Sequence, residues 1–256
     1  MEDLTTGPLT RHLLKTTSFM LVTMIFQTLY FLIDLYWVGR LGTDAIAAVG
    51  ISGNFTFIVL ALTQMLGVGT TTVVSHAVGR KNRAEAELLF NQAQVLAVFT
   101  GIGFLIVGML VRLPYSRAMS PDAETGALAA QYLLWFIPAM ALQFLMVAAG
   151  AALRAVGNFK AGMVVGTGSV IINMVLAPFL IFGWMTGHAL GVAGAAISSL
   201  VAVVVAVVWF ATYFLPKDLY LQFIRADLKP RLALWRTNTA IRSTRARNSW
   251  HWERPI

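Results

Sequence analysis

A single carboxylate, Asp34, stands in the apolar run LYFLIDLYWVGRLG (Leu29 to Gly42), and no other Asp or Glu lies well inside a long apolar stretch of the chain. On a helix turning about 100° per residue, Thr16, Thr23, Gln27, Tyr30 and Asp34 fall within about 60° of one another, forming one polar stripe. Lipid would leave such groups unsatisfied, so the stripe must face other helices or water. Two roles fit Asp34. As structural glue it stays protonated and hydrogen-bonds a neighbouring helix; as a functional group it binds an ion or carries a proton, the role that carboxylates inside membranes ordinarily mark. Placing Asp at a membrane helix centre costs roughly 2.5–3.5 kcal/mol, and a negative charge near a helix C-terminus opposes the macrodipole, so tolerance alone explains it incompletely.

Other polar positions offer it company. Gly162, Gly166, Ser169 and Asn173 recur at helical spacing, predicting a small-residue face that another backbone approaches, with one amide at a depth similar to that of Asp34. GVAGAAISS repeats the device through Gly191, Gly194, Ala195 and Ser198. For these glycines tight packing is the expected role, whereas Asn173 is open to both packing and cation binding. Thr56, Thr63 and Thr70, at heptad spacing, read as helix-to-helix or locally satisfied hydroxyls. Pro138 predicts a kink, static or hinged. Around it Trp135, Met140, Phe144 and Met146 would line an adaptable apolar cavity or, equally, a lipid-facing surface.

Catalytic chemistry finds little support. The chain has no cysteine, and His12, His76, His188 and His251 form no metal-ligand spacing. GVGTTT at Gly67 lacks the Gly-Lys-Ser/Thr of a phosphate loop and the third glycine of a dinucleotide fingerprint, and no serine sits in a nucleophile elbow. The expectation is a non-enzyme without metal or organic cofactor.

The elements that must position these residues follow from composition. Of 256 residues, 58% are hydrophobic and 12% charged, against roughly 25% charged in soluble proteins, which places the chain in the membrane class. A crossing needs about 20 mostly apolar residues, and six segments qualify: 13–38, 45–76, 88–111, 128–152, 161–183 and 190–214. None alternates as a membrane strand would. The first is too long for a signal h-region. The expected fold is an all-α, polytopic bundle of six transmembrane helices over residues 1–214, followed by a basic tail over 215–256.

Arg11, Lys15, Arg80, Lys81, Arg83, Arg154 and Lys160 fall in connections on one side, against Arg40, Arg112 and Arg117 on the other. The positive-inside rule then predicts both termini in the cytoplasm. The tail carries +6 of the net charge of +8, which favours anionic lipid over nucleic acid as its partner. AVGRKNRA (Ala77–Ala84) and AVGNFKAG (Ala155–Gly162) echo each other, through an ancestral repeat or through shared helix-stop chemistry.

LIDLYWVGRLGTDAIAAVGIS, GVGTTTVVSHAVGRKN, ALRAVGNFK, IINMVLAPFLIFG and GVAGAAISSLVA, in this order over about residues 10–215, together resemble the multidrug and toxic compound extrusion (MATE) family, its prokaryotic branches above all. The resemblance implies one lobe of a twelve-helix, two-lobe transporter of the inner membrane that exchanges organic cations and drugs for protons or sodium by rocking its lobes. It implies a cation site at Asp34, with Asn173, Tyr30 and Ser199 around it, and a substrate cavity to which Gln27 and Tyr30 belong. Ser199 stands where the family usually has threonine. Ala177 stands where many relatives carry a second carboxylate, and the first helix lacks the proline linked to bending in some members. Residues 216–236 resemble the inter-lobe linker, and TNTAIRSTRARNSWHWERPI has no apolar run where a next lobe's first helix would be expected; it resembles the product of a shifted reading frame or early stop, or the end of a short protein that pairs with a second lobe or dimerises. The alternatives are a lipid-linked oligosaccharide flippase of the same superfamily, which basic cavity residues would favour, and a transport-inactive membrane fragment.

Overall fold

The structure is a computed structural model that describes residues 9–184, 187–214 and 220–224. Six helices follow in order: α1 (Leu9–Gly39), α2 (Thr43–Gly79), α3 (Arg83–Met119), α4 (Ala123–Ala155), α5 (Phe159–Phe182) and α6 (Gly191–Tyr213). Helices α2 to α6 are each long and apolar enough to cross a membrane, and α1 contributes the apolar segment Met24–Gly39. The all-helical expectation holds. Side chains of Thr16 and Thr23, and the tail apart from 220–224, lie outside the described residues.

Short connections make sequential helices alternate in direction, so one end of the bundle carries the turns at 80–82 and 156–158. This basic end holds Arg80, Lys81, Arg83, Arg154 and Lys160. At both turns the chain stops a helix in the same way. Asn82 N–H donates to the Ala77 carbonyl (3.0 Å) and Lys81 N–H to Val78 (2.8 Å); Asn158 donates to Leu153 (2.9 Å) and Gly157 to Arg154 (3.0 Å). Lys81 and Gly157 both take the left-handed conformation, with φ of 56° and 77°. The Asn82 and Asn158 side chains then accept from Glu85 N–H and Ala161 N–H, each at 3.2 Å, and start the next helix. The repeated sequence is thus a repeated Schellman stop followed by an asparagine cap.

Helix α4 is the hub. It packs on α2, α3 and α6 and more lightly on α5, while α5 packs on α6 and α1. Its alanines and glycine at 148–152 are all buried, and side chains this short let neighbours approach closely. A Cβ placed on Gly101 of α3 would lie 2.6 Å from the Ala141 carbonyl oxygen of α4. The helix runs unbroken through Pro138, as α3 does through Pro114. That continuation corrects the expected end of the third crossing: the helix extends to Met119, and Arg112 Nη1 donates to the Ala130 carbonyl at 3.1 Å.

The hub also corrects the expectation for Met140 and Phe144. They are 3% and 0% exposed, inside an apolar layer with Phe55, Val59, Leu66 and Leu133. The α4 face that carries them is covered by α2 and α3, so they fill the lobe's core and do not line an open cavity. Many large apolar side chains remain exposed elsewhere, among them Leu21, Met24, Phe31, Phe57, Ile58 and Leu110. A surface of this kind demands lipid or another protein face.

The glycine faces divide. A Cβ at Gly194 would lie 2.6 Å from the Leu180 carbonyl, so α5 and α6 touch backbone to backbone there. Gly162 and Gly166 have nothing within 4 Å of the same test position. The close approach expected at those two is absent within the described residues. On α5 it is Gly168 that is crowded, by the Trp209 ring at 2.8 Å.

Candidate cation site

The site lies toward the end of the bundle opposite the basic turns, where α1, α4, α5 and α6 meet. The α5–α6 weld at Gly194 sets its floor. One turn along α6 from that weld stand Ser198 and Ser199, and both face Asn173 of α5. Asn173 Nδ2 donates to Ser199 Oγ at 3.0 Å and lies 3.4 Å from Ser198 Oγ. Each serine hydroxyl in turn donates to the Ala195 carbonyl, at 3.2 and 2.8 Å. Ser169, one turn before Asn173, donates across to the Ala202 carbonyl at 3.0 Å. All four side chains are buried. The polar residues of the small-residue faces therefore do more than fill space; they bind α5 to α6.

Helix α1 joins through Tyr30, whose hydroxyl is 3.4 Å from Ser199 Oγ, with either able to donate. Asp34 follows one turn later on the same stripe, within electrostatic reach of the Tyr30 hydroxyl. Its Oδ1 is buried and has no hydrogen-bond partner among the described residues. Asn173 directs its amide nitrogen to the serines, and Tyr30 is the residue by which α1 reaches the same serine, Ser199. Gln27, a further turn back, is exposed on the lobe surface. The stripe thus runs from an open position at Gln27 to a half-buried one at Asp34.

Sequence reasoning overlooked Tyr132. This α4 residue is 3% exposed and within electrostatic reach of both Asp34 and Tyr30. It shares an apolar layer with Val38, Ala177, Ile181 and Ala195. A tyrosine in an Ala-rich helix gives no spacing signal; only the packing of α4 against this layer reveals it. Trp37, three residues after Asp34, also buries an indole N–H without a partner among the described residues. No group of three or more His, Cys, Asp or Glu able to hold a metal occurs among the described residues.

Comparison with known proteins decides the family. The MatE family model matches residues 20–179, which take in α1 from Met20 onward, α2 to α4 and most of α5. The chain belongs to the MatE family. Among similar curated proteins, the FAD transporter of Shewanella oneidensis is 26% identical over 235 residues, covering 91% of this chain and 52% of that protein. The multidrug export protein MepA of Staphylococcus aureus is 25% identical over 214 residues, 82% of this chain and 46% of its own. A MOP superfamily transporter from Pyrococcus furiosus superposes with a TM-score of 0.82 at 25% identity, covering 91% of this chain and 51% of that one. This MatE chain spans about half the length of the relatives it matches, and the matched half is the six-helix lobe. The relatives named here are transporters or export proteins.

Proposed function

We propose that this chain is one lobe of an inner-membrane exporter of organic cations and drugs, and that it supplies the site at which a coupling proton binds. The observation that carries the reading is the buried, unpartnered Oδ1 of Asp34 beside the Tyr30–Ser199–Asn173 chain. A charged carboxylate held there carries a desolvation cost that a proton removes. Sodium is the weaker candidate: it requires several oxygen ligands, and Ala177, buried in the same layer, offers none.

Tyr30 links protonation to packing. Its single hydroxyl hydrogen serves either Ser199 or Asp34, not both. With Asp34 ionised, the hydrogen is drawn to the carboxylate; with Asp34 protonated, it returns to Ser199 and ties α1 to the α5–α6 pair. Protonation thus favours one docking of α1, and alternation between the two states moves substrate. The substrate path requires a second six-helix lobe or a second copy of this chain, with Gln27 and Tyr30 facing the space between. Both termini lie on the cytoplasmic side, where the basic turns meet anionic lipid.

The test is transport in proteoliposomes containing the lobe with its partner lobe, or the dimer. Efflux of a fluorescent organic cation should follow an imposed pH gradient, persist without sodium, and be lost in Asp34→Asn. Unchanged pH-driven efflux in that variant removes Asp34 from the mechanism.

A further inference from the structure

Beyond α6, residues 220–224 return to the basic end of the bundle and lie across the start of α3. Asn91 of α3, fully buried, grips this segment by its main chain. Its Nδ2 donates to the Gln222 carbonyl at 2.9 Å, and its Oδ1 accepts from Ile224 N–H at 3.2 Å. The remaining Nδ2 hydrogen goes to the Glu87 carbonyl of its own helix at 2.8 Å. One carboxamide thus stands in for the neighbouring strand that an extended segment would otherwise need.

Side chains complete the grip. Leu221 is 2% exposed, in the layer that includes Phe90 of α3 and Phe210 of α6. The Phe223 ring lies 5.2 Å from that of Phe90 and 5.6 Å from that of Phe214, the residue capping α6. The Arg83 guanidinium, paired with Glu87 at 3.0 Å, sits 5.7 Å from the Tyr220 ring. Helices α3 and α6 themselves meet where the Phe90 and Phe214 rings lie 4.7 Å apart, while along their length α4 packs on both.

We infer that residues 220–224 are a clasp that ties the start of α3 to the end of α6 across α4, fixing the point from which the following chain leaves the lobe. The clasp closes the basic end of the bundle, while the candidate cation site lies toward the other end. Movement of α6 at that end must therefore either carry α3 with it or open the clasp. The inference stands on this chain's own contacts and does not depend on the transport reading.

Hydrogen exchange on the full chain in lipid nanodiscs tests it. A peptide containing Gln222 to Ile224 should be protected, and Asn91→Leu, which keeps a similar volume but removes both main-chain bonds, should speed its exchange by about tenfold to a hundredfold. Asn91→Asp, which keeps only the acceptor, should fall between. Phe223→Ser, at an exposed position outside the helices, should also loosen the segment by removing its ring contacts with Phe90 and Phe214, so a poorly folded Asn91 variant would not spoil the test. Exchange that is fast in the unaltered chain, or equally slow in Asn91→Leu and Phe223→Ser, overturns the clasp.

Discussion

Adding one methyl group at Gly194 should damage the candidate cation site without changing any residue in it. The Cβ of Gly194→Ala would sit 2.6 Å from both the carbon and the oxygen of the Leu180 carbonyl, and 2.8 Å from Ile181 N. These are backbone atoms that cannot rotate away, so α5 and α6 must part by about 0.8 Å for ordinary contact to resume. Overpacking of this kind costs about 1–3 kcal/mol. If α6 shifts as a rigid body, the Asn173–Ser199 bond of 3.0 Å stretches past the range of a hydrogen bond, and the 3.4 Å Tyr30–Ser199 contact is lost. Thermal unfolding followed by tryptophan fluorescence should show Gly194→Ala clearly destabilised. Gly166→Ala, on the neighbouring helix with open space around it, should stay within about 0.5 kcal/mol of the parent. Equal stability of the two variants would refute the reasoning, because it would mean that the α5–α6 approach is not a backbone contact.

Two further predictions concern helix ends. Lys81→Gly should raise stability by a few tenths to about 1 kcal/mol, since Lys81 is exposed and held at a φ of 56° that glycine adopts without steric cost; chemical or thermal denaturation reads it, and a loss of stability would contradict it. Asp122 caps α4, accepting from Thr125 N–H at 2.7 Å and from the Thr125 hydroxyl at 3.0 Å, and these bonds hold its carboxyl below the usual carboxylate range. A carboxyl lowered in the folded state gives stability that is present above its unfolded value and lost as pH falls through the folded one. Amide exchange in the first turn of α4 should therefore be protected at neutral pH and accelerate as pH falls below the ordinary carboxylate range, beyond the intrinsic pH dependence of exchange; Asp122→Asn should remove that extra dependence.

Element existence was legible because it rests on long apolar runs, and the helix order and short turns follow from them. The site was legible in part. Asp34 and Tyr30 announce themselves as polar residues on one face of an apolar helix, and Asn173 as an amide on a small-residue face; Ser199 was reached through family resemblance, and its hydroxyl stands beside the Asn173 amide. Periodicity says which face is polar but not which neighbour covers it. That is why Met140 and Phe144 read as cavity residues although α2 and α3 bury them, and why Tyr132 escaped notice. Gly162 and Gly166 show the same limit, since a small residue permits close approach without requiring it. The run Asn91–Gln94, with three carboxamides in four residues at the start of an apolar helix, was a signal of buried polar chemistry left unread.

Helix α1 packs chiefly on α5 and only lightly on α2 and α6, whereas α5 and α6 are joined by backbone contact and buried hydroxyls. The carboxylate therefore rides on the most loosely held helix, and its polar neighbours on one of the firmest pairs. In such an arrangement a small free-energy change at that carboxylate is set against the shallow docking of one helix, not against the cohesion of the whole lobe.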